Sequence, residues 1–304
     1  MKPMQKSIIL GTDWWTDCDD AVALRLICRF VKEGRVNLLG IGINACMEHS
    51  AASVKGFLAA EGMPNIHVGI DAKATDFGGT PRYQERLAKA YCQNVKNEDL
   101  PSALRLYRRL LAESADKTEL VEIGYPQVLA DLIESKADDI SEMNGMELVR
   151  AKVSKLWVMA GKWDGDGEKE NNFCRNPRSR LAAEKLCRLC PVPITFLGWE
   201  TGYDVITGDK LDKYDHLHLV MADHGSANGR SSWDPMLALL ALIGDEEAAG
   251  YATVTGYASV DAETGANHFR EDGRGPHKYV VKKFDNSYYK NAINEIIKTQ
   301  EGGK

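Results

Sequence analysis

Asp13, Asp17, Asp19 and Asp20 place four carboxylates within eight residues. Acidic groups that close repel one another unless something positive sits among them. A hard divalent cation is the usual remedy, because Ca2+ and Mg2+ take oxygen ligands. The stretch lies between an apolar run, Ile8–Leu10, that reads as a buried strand, and a helical apolar pattern through Ala21, Leu24, Ile27, Cys28 and Val31. Ligands of open α/β sheets bind just outside the carboxyl ends of strands, so the position suits a site. The competing account is an acidic loop in which Asp17 or Asp19 caps the next helix. One cap explains one carboxylate and leaves the others unexplained.

Later segments carry further candidates. Val158-Met159-Ala160-Gly161 is followed by a Gly/Asp loop and then Glu170-Asn171-Asn172-Phe173. Taken alone, that segment reads as a polar loop that happens to hold a glutamate. Trp233-Asp234-Pro235 opens an apolar helix, a place where an aspartate is also a plausible N-cap. Gln127 stands in a turn before a helix, Asn44 ends a predicted strand, and Glu200 follows another. His224 sits in a predicted loop upstream of Trp233.

The pattern Asp13-x3-Asp17-x-Asp19-Asp20-Ala-x-Ala-Leu, after an apolar strand, resembles the N-terminal signature of the inosine-uridine nucleoside hydrolase family. Ile123-Gly124-Tyr125-Pro126-Gln127, Glu170-Asn171-Asn172 and Trp233-Asp234-Pro235 resemble later family segments and occur in the expected order. The resemblance implies Ca2+-dependent hydrolysis of the N-glycosidic bond of a nucleoside or related riboside. Asp13, Asp20, Asp234 and the Gln127 main-chain carbonyl would hold the ion, with Asp13 as general base. Asp19, Asn44, Glu170 and Asn172 would contact ribose, while Glu200 and Trp233 would also touch substrate. Asp17 would support the loop or the metal's surroundings. A homodimer or homotetramer is implied as well.

Three departures stand out. Gly11 occupies a position where longer bacterial members have a supporting aspartate, and Trp15 replaces a small residue and is expected to narrow the mouth. Trp233 replaces a histidine, and an indole can stack on a base but cannot act as a general acid. That loss favours an alternative, a non-catalytic metal-dependent binder of ribosides or polyols. A phosphohydrolase with an aspartate nucleophile ranks below both, because Asp13-Trp14-Trp15 lacks its Asp-x-Asp.

These residues require a scaffold. Strands are predicted at 36–44, 119–124, 155–161, 193–197, 251–260 and 279–284, with a turn and a short strand within 63–69 and helices at 50–61, 179–189 and 288–300. The alternation implies an α/β fold: a mostly parallel, Rossmann-like open sheet with helices on both faces. Residues 1–304 read as a single domain, with a turn at 265–269 and a mobile loop over the site at 71–100. A net charge of −6 argues against nucleic acid or an anionic membrane as partner. No apolar run approaches the ~18 residues of a membrane span. Met1–Ser7 lacks the apolar core of a signal peptide. Seven cysteines without framework spacing suit a reduced, cytoplasmic chain, with Cys187 and Cys190 as packing residues.

Overall fold

Ile8, Ile9 and Leu10 are all buried, yet Ile8 and Leu10 join one hydrophobic cluster and Ile9 another. Successive strand side chains point to opposite faces, so this strand is covered on both. The structure is a computed structural model that describes residues 5–299. Residues 1–4 of the N-terminal stretch, and Gln300 of the last predicted helix, lie outside the described residues.

The first half runs β1 (Lys6–Thr12), α1 (Asp19–Lys32), β2 (Val36–Ile43), α2 (Ser50–Ala60), β3 (His67–Ile70), α3 (Gln84–Tyr91) and α4 (Ala103–Glu113). It continues through β4 (Thr118–Glu122), α5 (Gln127–Glu134), α6 (Gly145–Lys152) and β5 (Val153–Met159). A short β6 (Glu168–Lys169) and α7 (Asn171–Cys174) precede α8 (Pro177–Leu189), β7 (Ile194–Leu197) and α9 (Trp199–Gly202). Then come β8 (Ile206–Thr207), α10 (His216–His224), β9 (Arg230–Ser231) and α11 (Trp233–Ile243). The chain closes with β10 (Tyr251–Val260), β11 (Ala266–Glu271), β12 (His277–Lys282) and α12 (Asn286–Ile297).

Ten strands form one sheet in the order β3-β2-β1-β4-β5-β7-β12-β10-β11-β6. The pairings from β3 to β12 are parallel, and those among β12, β10, β11 and β6 are antiparallel. One cluster gathers α1, α2, α11 and α12 on one face, and the other gathers α4, α5, α6 and α8 opposite. The predicted fold class is therefore what forms. Gly265–Phe269 is not a turn throughout: after Gly265 (φ +75°), β11 begins and pairs with β10. All seven cysteines are free, and no helix among the described residues is long and apolar enough to cross a membrane.

Candidate active site

From β1 the chain builds β2 and β3 on one side, then crosses to β4 on the other. A crevice opens at such a reversal, outside the strand ends, and Asp13 follows β1 there. The next residue, Trp14, has φ +42°, a left-handed conformation costly for a side chain of this size. Its surroundings fix it. Its backbone N–H donates to Thr12 Oγ1 (3.1 Å) and Asp20 Oδ1 (3.2 Å), and its buried indole donates to Ser53 Oγ (2.9 Å).

Asp19 and Asp20 occupy the first turn of α1, and Asp234 the first turn of α11, which packs against α1. Neither helix has a side-chain cap bond from its N-cap residue, Cys18 or Ser232. Asp19 and Asp234 lie inside these first turns and not at the N-cap positions, so neither caps its own helix, and both line the cleft. Helix N-termini favour negative charge, and two of them converge here. Oxygens of Asp19, Asp20 and Asp234 lie within 4.8 Å of one another, although Asp234 is more than 200 residues from the others. The Asp234 N–H donates to Asp19 Oδ2 (3.2 Å), and the Thr12 hydroxyl donates to Asp20.

With Asp13 and Asp17 these carboxylates line a cleft of about 190 Å³. Burial, followed by the charge of neighbouring aspartates, pushes Asp13, Asp19 and Asp234 well above the usual carboxylate range. Asp20 is raised likewise, with Asp13 the first contributor after burial. Such a set of buried oxygen donors fits a hard cation. Asp17 differs: burial alone would raise it, but Arg230 holds it low through paired bonds of 2.9 and 2.5 Å.

Met159, Glu170, Asn171 and Asn172 also line the cleft. Glu170 caps α7, accepting from Asn172 N–H (2.9 Å) and from Gly161 N–H (3.0 Å), and burial pushes it up to about 7. Asn172 Nδ2 donates to the Met159 carbonyl (2.9 Å). Trp199, Trp233 and Arg230 complete the lining, with the two indoles stacked at 6.3 Å and the guanidinium 5.1 Å from the Trp233 ring centre.

No protein-family model matches the chain, and no curated protein matches it by sequence. Its shape does find counterparts. A plant nucleoside hydrolase superposes with a TM-score of 0.72 at 15% identity, covering 97% of this chain and 99% of that one. An inosine-uridine preferring nucleoside hydrolase from Bacillus anthracis gives 0.70 at 16% identity, with 96% and 99% covered. The type III effector XopQ, solved with adenosine diphosphate ribose, gives 0.67 at 14% identity, with 97% and 94% covered.

The chain has the nucleoside hydrolase fold.

Within that nucleoside hydrolase frame, several expected contacts are arranged otherwise. Asn44 is fully buried; its Nδ2 donates to Glu122 (2.7 Å) and its Oδ1 accepts from Tyr125 N–H (2.9 Å), so it lies outside the cleft lining. Gln127 begins α5 and sends its side-chain amide to the Asn44 carbonyl, whereas Ile123, just after β4, lines the cleft. Glu200 accepts from Trp163 N–H (3.2 Å) and is not in the lining; the adjacent Trp199 is. His224 ends α10 rather than lying in a loop, bonds Ser226 Oγ (2.8 Å) and also lies outside the lining. Trp15, expected at the mouth, likewise lies outside the cleft lining. It packs with Ala74, Phe77 and Tyr125 and donates to the Gly78 carbonyl (2.8 Å). Sequence reasoning passed over Ile123, Asn171, Trp199 and Arg230. The Arg230–Asp17 pair spans 213 residues, and no local pattern announces it.

Proposed function

We propose that the protein is an N-riboside hydrolase that holds its sugar with Ca2+. The observation that carries this reading is the meeting of early aspartates with Asp234, beside Glu170 and Asn172, in one cleft of the nucleoside hydrolase fold. The ADP-ribose complex of a similarly folded protein supports a ribose-containing ligand.

Asp13, Asp20 and Asp234 would hold the ion together with a main-chain carbonyl. Gln127 is the family-like choice for that carbonyl, and Ile123 is the one in the cleft lining. When bound, the ion would grip the vicinal diol and make a water more acidic. Asp13 would take the proton from the attacking water as the water's oxygen bonds to the anomeric carbon. Asp19 orients the ribose, as would Asn44 only if its internal bonds were given up. Glu170 and Asn172 hold the sugar while positive charge develops on it. The C–N bond breaks and the base leaves with the electron pair. The Trp233 indole N–H is spent on the Trp199 carbonyl (2.8 Å), so that ring offers a stacking face and no proton. Arg230, held by Asp17 through Nε and Nη2, keeps Nη1 to stabilise negative charge on the departing base. Glu200 would reach substrate only by giving up its bond from the Trp163 N–H. The implied dimer or tetramer belongs to the same proposal, and light scattering measures it.

The test is release of base from inosine and uridine, and of nitrophenol from a nitrophenyl riboside, before and after chelation. Chelation and Asp13→Ala should each abolish turnover; activity that survives both rejects the mechanism. The occupied Trp233 N–H favours the second reading, a metal-dependent riboside binder. Calorimetric ribose binding without turnover would establish it.

A further inference from the structure

Glu122 closes β4 and has no part in the chemistry above, yet its carboxyl is packed against the strand that carries Asp13. It is paired with Gly11 across the β1–β4 ladder and is 1% exposed. Oε1 accepts from Asn44 Nδ2 (2.7 Å) and Gly124 N–H (3.0 Å); Oε2 is buried without a partner. A β carbon built on Gly11 would lie 2.1 Å from Oε2. Glycine at position 11 is thus the space that the Glu122 side chain fills.

The bonds around this carboxyl join three strand ends. Asn44, after β2, donates its backbone N–H to the Thr12 carbonyl of β1 (2.9 Å) and accepts from Tyr125 N–H beyond β4 (2.9 Å). Gly124 sits directly on the Asp13 backbone, where a β carbon would come within 2.3 Å of Asp13 N. Displacing Glu122 would therefore loosen Asn44 and Gly124 together, and Asp13 rests on both.

We infer that Glu122 is a positioning residue for the cation-binding carboxylates, clamping the ends of β1, β2 and β4 beneath Asp13, with Gly11 as its matching void. The inference rests on the cation-holding role proposed for Asp13. A clamp acts through its accepting oxygen, so glutamine should replace glutamate, and a carboxyl delivered from position 11 should substitute once Glu122 is shortened.

The full-length protein and the variants Glu122→Gln, Glu122→Ala, Gly11→Asp and Gly11→Asp/Glu122→Ala are compared by Ca2+ calorimetry. Amide hydrogen exchange over residues 11–16 and 121–126 is measured alongside, without Ca2+. Glu122→Gln should bind within about threefold of wild type, and Glu122→Ala should lose about 10- to 100-fold in affinity. Gly11→Asp alone should weaken binding, and the double variant should bind more tightly than Glu122→Ala. Exchange should quicken in Glu122→Ala and stay unchanged in Glu122→Gln. Wild-type affinity in Glu122→Ala, unchanged exchange, or a double variant weaker than both singles would overturn the clamp. So would a large loss in Glu122→Gln, which also decides the matter if Glu122→Ala does not fold. Wild-type protein that binds no Ca2+ would reject the proposed function instead, and the exchange data would still decide whether the clamp exists.

Discussion

Asp20→Asn and Asp234→Asn each keep a side chain's shape while removing a negative charge. Without a cation, both aspartates sit buried among like charges, and each is pushed up by that burial and by its neighbours. Each amide should therefore stabilise the metal-free protein by about 1 kcal/mol while weakening Ca2+ binding about a hundredfold. Melting with chelator and with Ca2+ separates these effects; a fall in both measurements would make the residue structural. Arg230→Met addresses the other side of the cleft. It should lower kcat/KM for inosine by about 10- to 100-fold, and much less for the nitrophenyl riboside, whose leaving group needs little help. Equal losses would place Arg230 in the fold and not at the base. The aspartate run was legible because its repulsion is local and visible in sequence. Asn44 was not, because its partner Glu122 lies 78 residues away and uses the amide that ribose was expected to use.

The segment 71–83 is held by several elements at once. Trp15 Nε1 donates to the Gly78 carbonyl, Arg175 donates to the Phe77 carbonyl through Nη2 (2.9 Å) and Nε (3.2 Å), and Phe77 stacks on Tyr125 at 3.9 Å. Gly79, with φ +82°, lets the chain pass the Trp15 ring, where a β carbon would approach within 2.8 Å. Trp15→Phe keeps an aromatic ring but leaves the Gly78 carbonyl without its donor. It should cost about 1 kcal/mol in denaturant unfolding and speed proteolytic cleavage within 71–83. Unchanged cleavage would show that the indole bond does not hold the segment. The existence of strands and helices was readable from periodicity here. The staple was not, since it joins three segments that share no pattern.

Stability of the whole molecule should depend on pH in two opposed ways. Arg25 is buried and bonded to Asp215 at 2.7 Å and to Glu61, tying α1 to α2 and α10. Although burial alone would raise them, His216 together with Arg25 holds Glu61, and Arg25 holds Asp215, down to about 2. Their contribution is present above the ordinary carboxylate range, about 4, and is lost as pH falls toward 2. Burial pushes Glu122 up to about 8 and Glu170 up to about 7. The folded state then keeps protons that the unfolded chain has released, so stability falls as pH rises from about 4.5 to about 8. Melting of chelator-treated protein should peak near pH 4 to 5 and decline on both sides, with Ca2+ flattening the alkaline decline. A profile level across neutral pH would refute the raised carboxyls.

The sequence by itself determined the alternation of strands and helices, and hence a parallel sheet covered on both faces, because apolar periodicity is a local property of the chain. It also singled out the aspartate run by its local repulsion, while Asp234 stood out through the resemblance of its segment to a family motif. Only the tertiary structure decided which side chains enter the cleft. Trp199 does and Glu200 does not, because one residue of register on a four-residue helix turns a side chain to the other side. Glu122 fills the void above Gly11 only because β4 pairs with β1 in one particular register. Pairing between distant segments is set by packing of the whole sheet, and no single stretch of sequence encodes it.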